Sequence, residues 1–371
     1  VIRAAIVGAG AIAAHSHVPA LRAHRDRVEL VAVADVDEAR AKALAGGAAA
    51  YTDLGELLDA ERPDLVIVCT PPYLHVEQAV AALSAGAWVW CEKPAALSLA
   101  ELDRMAAAEG TGAEGAGGEG AAGEGAGRAG GPYLSVVYQQ RFGSGAEHLR
   151  ALNGAPGRPL GRPLLALCQT TWHRGDDYYA IPYRGKWATE GGGTTVLHGV
   201  HQMDLMLSVF GDWAEIRAMA GRLDRPIETE DVSLAMVRFD NGAMGSVVTS
   251  VLSPRQESYL RFDFADATVE LRHLYGYGNA DWSSTSPLWS PPEDVPSTHA
   301  TQLGLLLDAY ERGERPPASG ADARRAMEFV TGLYASAFTG RPVLRTEITP
   351  DSPFYHRLDG GIETFFTAAG S

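Results

Sequence analysis

The sequence predicts an α/β chain in two parts: a doubly wound parallel sheet, then a second domain built on a sheet of alternating strands. Three observations carry this. Over the first hundred residues, apolar strands alternate with helical patterns, the arrangement that closes into a parallel sheet covered on both faces. Beyond residue 160 strand follows strand, in "PLLALCQTTW", "AEIRAMAGRL", "VSLAMVRFD", "AMGSVVTSVL" and "YLRFDFADATVEL", broken by "DNG" turn chemistry. At 371 residues the chain also exceeds one ordinary domain of roughly 100–200 residues. Two domains sharing a cleft are expected, residues 1–135 and 136–371.

The first element is an apolar strand, Ile2 to Val7, followed by Gly8-Ala9-Gly10-Ala11-Ile12-Ala13 and a helical pattern through Leu21. A glycine at the turn, a second where the backbone approaches pyrophosphate, and a small residue for helix-to-strand packing make the dinucleotide fingerprint of a Rossmann domain. Gly8, Gly10, Ala11 and Ile12 are its cofactor-binding residues, and the helix N-terminus faces the phosphates. The second strand, "VELVAVADVD", ends at Asp35, where a carboxylate accepts hydrogen bonds from the ribose hydroxyls and repels a 2'-phosphate. The cofactor expected is therefore NAD rather than NADP. The competing role for Asp35 is a helix cap, which Asp37 fits better.

Two further strand-to-helix units follow, "DLVIVCTPPYLHVEQAVAAL" and "AWVWCEKPAALSLAELDRMAAA". Ligands of a doubly wound sheet bind at the C-terminal ends of its strands, so Thr70, Pro71, His75, Glu92 and Lys93 are expected on the nicotinamide side. His75 has an alternative role in opening its helix. Lys93 precedes Pro94, and a cis bond there would aim the lysine across the cleft. Near a cationic ring its pKa would fall, making it a proton shuttle; the bland alternative is a solvated surface lysine.

Residues 110–131 form a Gly-Ala-Glu tract with no apolar anchors, read as a mobile insertion without catalytic part. The composition, 46% apolar and 21% charged, is that of a globular chain. A net charge of -15 repels phosphate backbones, so no nucleic-acid partner is expected. Cys69, Cys91 and Cys168 have no metal-like spacing and fit a reduced, cytoplasmic compartment. No leader and no run of about 18 apolar residues is visible, so no membrane partner is expected.

In the second half, "TEGGGTTVLHGVHQMDLML" spans residues 189–207. Gly191 to Gly193 read as a loop whose backbone comes close to nicotinamide or substrate, and Thr194 or Thr195 as the cap of the next helix. His198 and His201 lie near one helical face, and Asp204, one turn on, is placed to orient the His201 ring. A metal on these three would need a further ligand, and hydride transfer to nicotinamide needs none, so no metal is expected. Upstream, Trp172, Arg174, Tyr178 and Trp187 stand in a cluster of aromatic and cationic residues suited to a polyhydroxylated ring, or equally to a core corner or subunit contact. "VVYQQRF", residues 136–142, reads as a strand ending near Arg141. "TQLGLLLDAYERG" and "DARRAMEFVTGLYASAFTG" read as amphipathic helices, the second closed by Gly340.

Taken together, "GAGAIA", Asp35, "TPPYLH", "CEKP", "GGGTTVLHGVHQMD", "ETEDVSLAMVRFDNGAMGSV" and "SAFTGRPV" resemble the Gfo/Idh/MocA oxidoreductases over nearly the whole chain. The resemblance implies a Rossmann domain followed by an α+β domain with a large, open, mostly antiparallel sheet. It implies an NAD(P)-dependent dehydrogenase or reductase acting on a hydroxyl or keto carbon of a sugar or cyclic polyol. Lys93 matches the family lysine, His201 the histidine of the catalytic helix, and Glu92 a residue that positions Lys93 or the cofactor. Many members carry an aspartate where this chain has Leu197. Either His198 takes part of that role, or Lys93 and His201 act without a third partner. Two alternatives follow from the same resemblance: a glycosidase that retains NAD and uses transient oxidation, and a nucleotide-sensing regulator. The open sheet implies a homodimer or homotetramer.

Overall fold

A computed structural model describes residues 1–110 and 130–362. The insertion expected at 110–131 lies, but for its ends, outside the described residues. The chain divides into two compact units: Val1–Ala96, Glu101–Val137 and His299–Ala323 form the first, and Leu97–Ala100, Tyr138–Thr298 and Arg324–Ser371 the second. They are not consecutive stretches. A late segment, His299–Ala323, belongs with the first unit, which a single division near residue 135 does not provide for.

The first unit is built on β1 (Ile2–Val7), β2 (Val28–Ala34), β3 (Ala49–Tyr51), β4 (Leu65–Val68), β5 (Trp88–Cys91) and β6 (Leu134–Val136). Their order is β3-β2-β1-β4-β5-β6, with every pairing parallel. β4 and β5 read LVIV and WVWC, without a charged residue, because both faces of a parallel sheet are covered. The order reverses between β1 and β4, so the turns leaving these two strands diverge and open a crevice at their C-terminal ends. The strand expected over 136–142 stops at Val136 and gives way to a tight 3-10 turn, Gln139–Arg141.

One flank of this sheet is filled from far along the chain. Leu303, Leu306 and Leu307 of the helix His299–Arg312 join Ile6, Ile67 and Trp90 in one core, while Asp308 and Glu311 on another side of the helix hold Arg27. Each fully buried leucine contributes about 1.5–3 kcal/mol. The half-exposed ion pairs add little beside that.

The second unit carries β7 (Pro163–His173), β8 (Trp213–Gly221), β9 (Val232–Phe239), β10 (Met244–Ser250), β11 (Leu252–Phe264), β12 (Thr268–Leu271), β13 (Trp282–Ser284) and β14 (Val343–Leu344). The order is β13-β12-β11-β7-β10-β9-β8-β14, antiparallel except between β7 and β10. The β9 alternation is read directly by burial: Ala235, Val237 and Phe239 face the core, and Leu234 and Met236 face out. The expected "DNG" turn joins β9 to β10, with the Asn241 side chain accepting from Ala243 N and Gly242 at φ +85.

Against the inner face lies the helix Val200–Phe210, in which every residue but Ser208 is buried. Phe210 packs among Phe239, Phe262 and Phe264. The outer face is unusually apolar. Met219 is 76% exposed and sits opposite Leu234, and Met244, 55% exposed, sits opposite Leu165. Among the described residues no helix is long and apolar enough to cross a membrane.

Candidate active site

The first unit supplies a nucleotide turn whose fit can be tested atom by atom. A Cβ on Gly8 would stand 2.8 Å from the Cys69 carbonyl carbon and the Thr70 nitrogen, and Gly8 has φ +93. Only glycine lets the turn after β1 press against the end of β4. A Cβ on Gly10 would instead meet open space, so that face of the backbone is clear for a phosphate, and Ala11 and Ile12 are exposed beside it. These residues fit a dinucleotide. The helix that follows begins with a wide π-helical turn, Ala13–His17, before the α-helix Val18–Ala23.

Asp35 braces this turn as well as ending β2. Its Oδ2 accepts from Ala9 N at 2.7 Å and its Oδ1 from Asp37 N at 2.9 Å. A carboxylate has about four acceptor positions, so capacity remains for ribose hydroxyls. Asp37, as expected, caps the helix Glu38–Ala45 by accepting from Ala39 N and Arg40 N.

His75 is not on the surface of the crevice. It is 1% exposed, with Nδ1 2.7 Å from the Pro94 carbonyl and Nε2 2.7 Å from the Thr70 carbonyl. The expected contact with the cofactor is replaced by a tie between the Thr70-Pro71 turn and the Lys93-Pro94 turn. Burial lowers the His75 pKa. Thr70 Oγ1 donates to Gln78 Oε1 at 2.5 Å, and Thr70 and Pro71 stay half-buried at the strand end.

On the other side of Lys93, Glu92 is held equally firmly. Its Oε1 lies 2.9 Å from His17 Nε2 and 3.5 Å from His299 Nε2, and its Oε2 accepts from Lys93 N at 3.2 Å. Burial alone would raise the Glu92 pKa, but the two imidazoles outweigh it and hold the carboxyl well below the usual range, while burial lowers the His17 pKa. Half-buried Lys93 therefore stands between two pinned residues, with its bond to Pro94 cis.

The ligand atoms of His17, Glu92 and His299 lie within 4.8 Å of one another, close enough to raise the question of a metal. A metal on His17 Nε2 would put a proton on Nδ1, which metal-bound imidazoles nearly always donate to a neighbour. That Nδ1 is buried with no hydrogen-bond partner among the described residues. A carboxylate hydrogen-bonded to His17, with His299 in ion-pair range at 3.5 Å, accounts for the arrangement better.

In the second unit the three glycines do something other than expected. Gly191 closes the short helix Trp187–Glu190, a Cβ on Gly192 would collide with the Tyr334 hydroxyl, and one on Gly193 would fall on the Glu230 carbonyl oxygen. Their smallness serves packing against the chain itself. Neither threonine caps the following helix with its side chain: Thr195 Oγ1 donates to Ser233 Oγ, and Thr194 Oγ1 has no partner among the described residues.

A second π-helical turn, Thr195–Gly199, carries His198 into the helix that carries His201. The His198 ring meets Trp172 edge-on at 5.5 Å between centroids and Tyr178 at 5.7 Å. His201 meets Tyr275 at 5.7 Å and Tyr138 at 6.3 Å. The Arg174 guanidinium lies over Trp172 at 4.9 Å and over Tyr178 at 5.6 Å, completing a wall of flat faces with a cationic edge. Burial pushes the Tyr178 phenol up to about 12.

Trp187 and Asp204 have partners of their own. Trp187, half-buried, packs on Tyr334 and Phe338 and donates to the Glu228 carbonyl. Asp204 is engaged by Arg141 through two bonds of 2.6 Å, so its carboxylate fixes the helix to that arginine. Conversely, Tyr275, Tyr138, Glu230 and Tyr334 were not singled out from the sequence. Tyr138 lies in "VVYQQRF", Tyr334 in the last amphipathic helix and Glu230 in "ETED", and nothing in their spacing links them to the histidines or the glycines.

Comparison with known proteins agrees with this layout. A family model described as oxidoreductase family, NAD-binding Rossmann fold, matches residues 2–112, and the GFO/IDH/MocA C-terminal domain matches residues 158–270. D-glucoside 3-dehydrogenase of Escherichia coli K12 is 26% identical, covering 92% of this chain and 97% of its own. D-apiose dehydrogenase of Paraburkholderia graminis is 26% identical, over 95% and 92% of the two chains. Among solved structures, the WlbA dehydrogenase of Bordetella pertussis in complex with NADH and UDP-GlcNAcA superposes with a TM-score of 0.76 at 25% identity, covering 92% of this chain and 98% of that one.

Proposed function

From a chain that belongs to the GFO/IDH/MocA oxidoreductases, an NAD-binding family, we propose a dehydrogenase or reductase that works on a CH–OH carbon of a sugar or cyclic polyol. The observation that carries it is the aromatic wall around His198 and His201, whose Trp172 and Tyr178 faces and Arg174 edge suit a ring with C–H faces and hydroxyl rims. The names of the relatives, a glucoside and an apiose dehydrogenase, support the same substrate class.

When bound, the nicotinamide supplies the acceptor for the hydride that leaves the alcohol carbon with its electron pair. Gly8 and Gly10 give the pyrophosphate its approach, with Ala11 and Ile12 beside it, and Asp35 takes the ribose hydroxyls, which selects NAD over NADP. Thr70 and Pro71 line the nicotinamide side. Lys93 or His201 accepts the hydroxyl proton as the carbonyl forms, and His198 assists where Leu197 offers no carboxylate. Trp187 and His75 act by packing and bracing. Oligomerisation as a homodimer or homotetramer covers the apolar outer face around Met219, Leu234, Met236 and Met244. The compartment that fits the reduced cysteines is the cytoplasm.

The test is nicotinamide absorbance on purified protein given NAD and a panel of sugars and cyclic polyols, with Lys93→Met alongside. NADH appearing with one class, and at least ~100-fold less of it in Lys93→Met at NAD affinity within a few-fold, is the expected outcome. Nucleotide bound without NADH release transfers the assignment to an NAD-retaining glycosidase or a sensor. Normal turnover in Lys93→Met removes the lysine from the proton step.

A further inference from the structure

We infer that Glu230 is the positioning residue of the histidine-bearing segment: it caps, from outside the helix, the turn that carries His198 and His201. The first turn of any helix leaves backbone N–H groups without intrahelical partners, and a serine, threonine or aspartate just before the helix usually meets that need. Here the local threonines do not. Instead the N–H groups of Gly193, Thr194 and Thr195 all end on Glu230, at 3.0 Å to Oε2, 3.3 Å to its backbone carbonyl and 2.9 Å to Oε1.

The brace has its own support. Tyr334 Oη donates to Glu230 Oε1 at 2.8 Å and accepts from Gly193 N at 3.2 Å, and Thr195 Oγ1 continues through Ser233 Oγ to Thr249 Oγ1, tying the segment to β9 and β10. Glu230 is 0% exposed, and burial pushes its carboxyl pKa up against the pull of these donors. A carboxylate buried so completely is an expensive way to cap a helix, and a local serine would serve at far less desolvation. What the distant carboxylate adds is placement. It fixes the Gly193 and Thr195 N–H groups against the segment that leads into β9, and His198 and His201 follow three and six residues after Thr195. Gly193 is glycine because this contact leaves no room for a Cβ. The "ETED" motif, which the fold alone does not explain, thereby acquires a role.

This inference rests on His198 and His201 being the proton-handling groups. In Glu230→Gln the new NH2 would face a backbone N–H, donor against donor, with side-chain volume kept. The expected result is a kcat at least tenfold lower, KM changed less than threefold and NAD Kd within twofold. In protein labelled at histidine, the ring signals of His198 and His201 should move while those of His15 and His24 stay. Tyr334→Phe should move the same two signals and lower kcat a few-fold. A folded Glu230→Gln protein with wild-type kcat and unmoved ring signals overturns the inference. Should Glu230→Gln fail to fold, unmoved signals in Tyr334→Phe overturn it equally. If the wild type releases no NADH, the functional reading fails separately, and the ring signals still decide whether Glu230 places the histidines.

Discussion

Two glycine turns, Gly8-Ala9-Gly10 and Gly191-Gly192-Gly193, look alike on paper and differ in what fills the space beside them. Both lead into a π-helical turn bearing histidine and then an α-helix, and both have a backbone N–H held by a carboxylate from elsewhere, Asp35 at Ala9 and Glu230 at Gly193. Beside Gly10 there is open space, and Asp35 is half-exposed with acceptor positions to spare. Beside Gly192 and Gly193 stand Tyr334 and Glu230, both buried. The first turn is packed by the protein at Gly8 and open at Gly10, and the second is packed by the protein at Gly192 and Gly193. A run of glycines therefore reports that something comes close, and only the neighbours say what.

The sharpest way to break this comparison is at Gly193. Gly193→Ala drives a methyl into the Glu230 carbonyl and should cost about 1–3 kcal/mol of stability, read as a lower urea midpoint at unchanged slope. An unshifted midpoint would mean that the second turn has room after all. Gly10→Ala should behave in the opposite way. Its Cβ meets nothing and its φ is not in the left-handed region, so stability should hold or rise by about 0.4–1 kcal/mol. NAD affinity should nevertheless fall about tenfold, or about 1.4 kcal/mol, in a nucleotide titration. Unchanged affinity would show that the open space is not used.

Asp35→Ser sharpens the comparison between the two carboxylates. It should narrow the preference for NAD over NADP about tenfold, measured as the ratio of the two dissociation constants. If the ratio stays put, Asp35 is a brace like Glu230 and nothing more.

The smallest effect appears only in acid. Glu92 has a folded pKa below its unfolded value, so its contribution is complete above about 4.3 and is lost as pH falls through the folded value. His17, also lowered, loses stability in the same direction, beginning below about 6.5. Glu92→Gln should therefore show a flatter acid limb of stability against pH than the wild type. Parallel limbs in the two proteins would mean that the histidines do not hold the charge of Glu92.

Much of the fold was legible in advance because its signals are local. The GxGxxA turn, the capping by Asp37, the "DNG" hairpin and the β9 alternation each lie within a few residues of the group they satisfy. In the site, Lys93 just beyond β5 and the cluster of Trp172, Arg174 and Tyr178 were readable from residue type and position, while the packing of Trp172 and Tyr178 on His198 was not. The contacts that were missed share a cause. Asp204 was read beside the histidine one turn away, and Arg141, 63 residues off, gives it two parallel hydrogen bonds. His75 opens its helix, one of the two roles its position allows, and two carbonyls from turns 5 and 19 residues away close on its ring and bury it.

By itself the sequence determined the kinds of element, their order, the nucleotide turn and the family, since periodicity, turn chemistry and motif spacing are properties of neighbours along the chain. Tertiary structure decided which polar groups meet: His299 on Glu92, Tyr275 on His201, Tyr334 and Glu230 on the second glycine turn. The physical reason is that a buried donor or acceptor must find a partner wherever packing brings one. Nothing in local pattern tells a carboxylate which of several distant N–H groups will be there when the core closes.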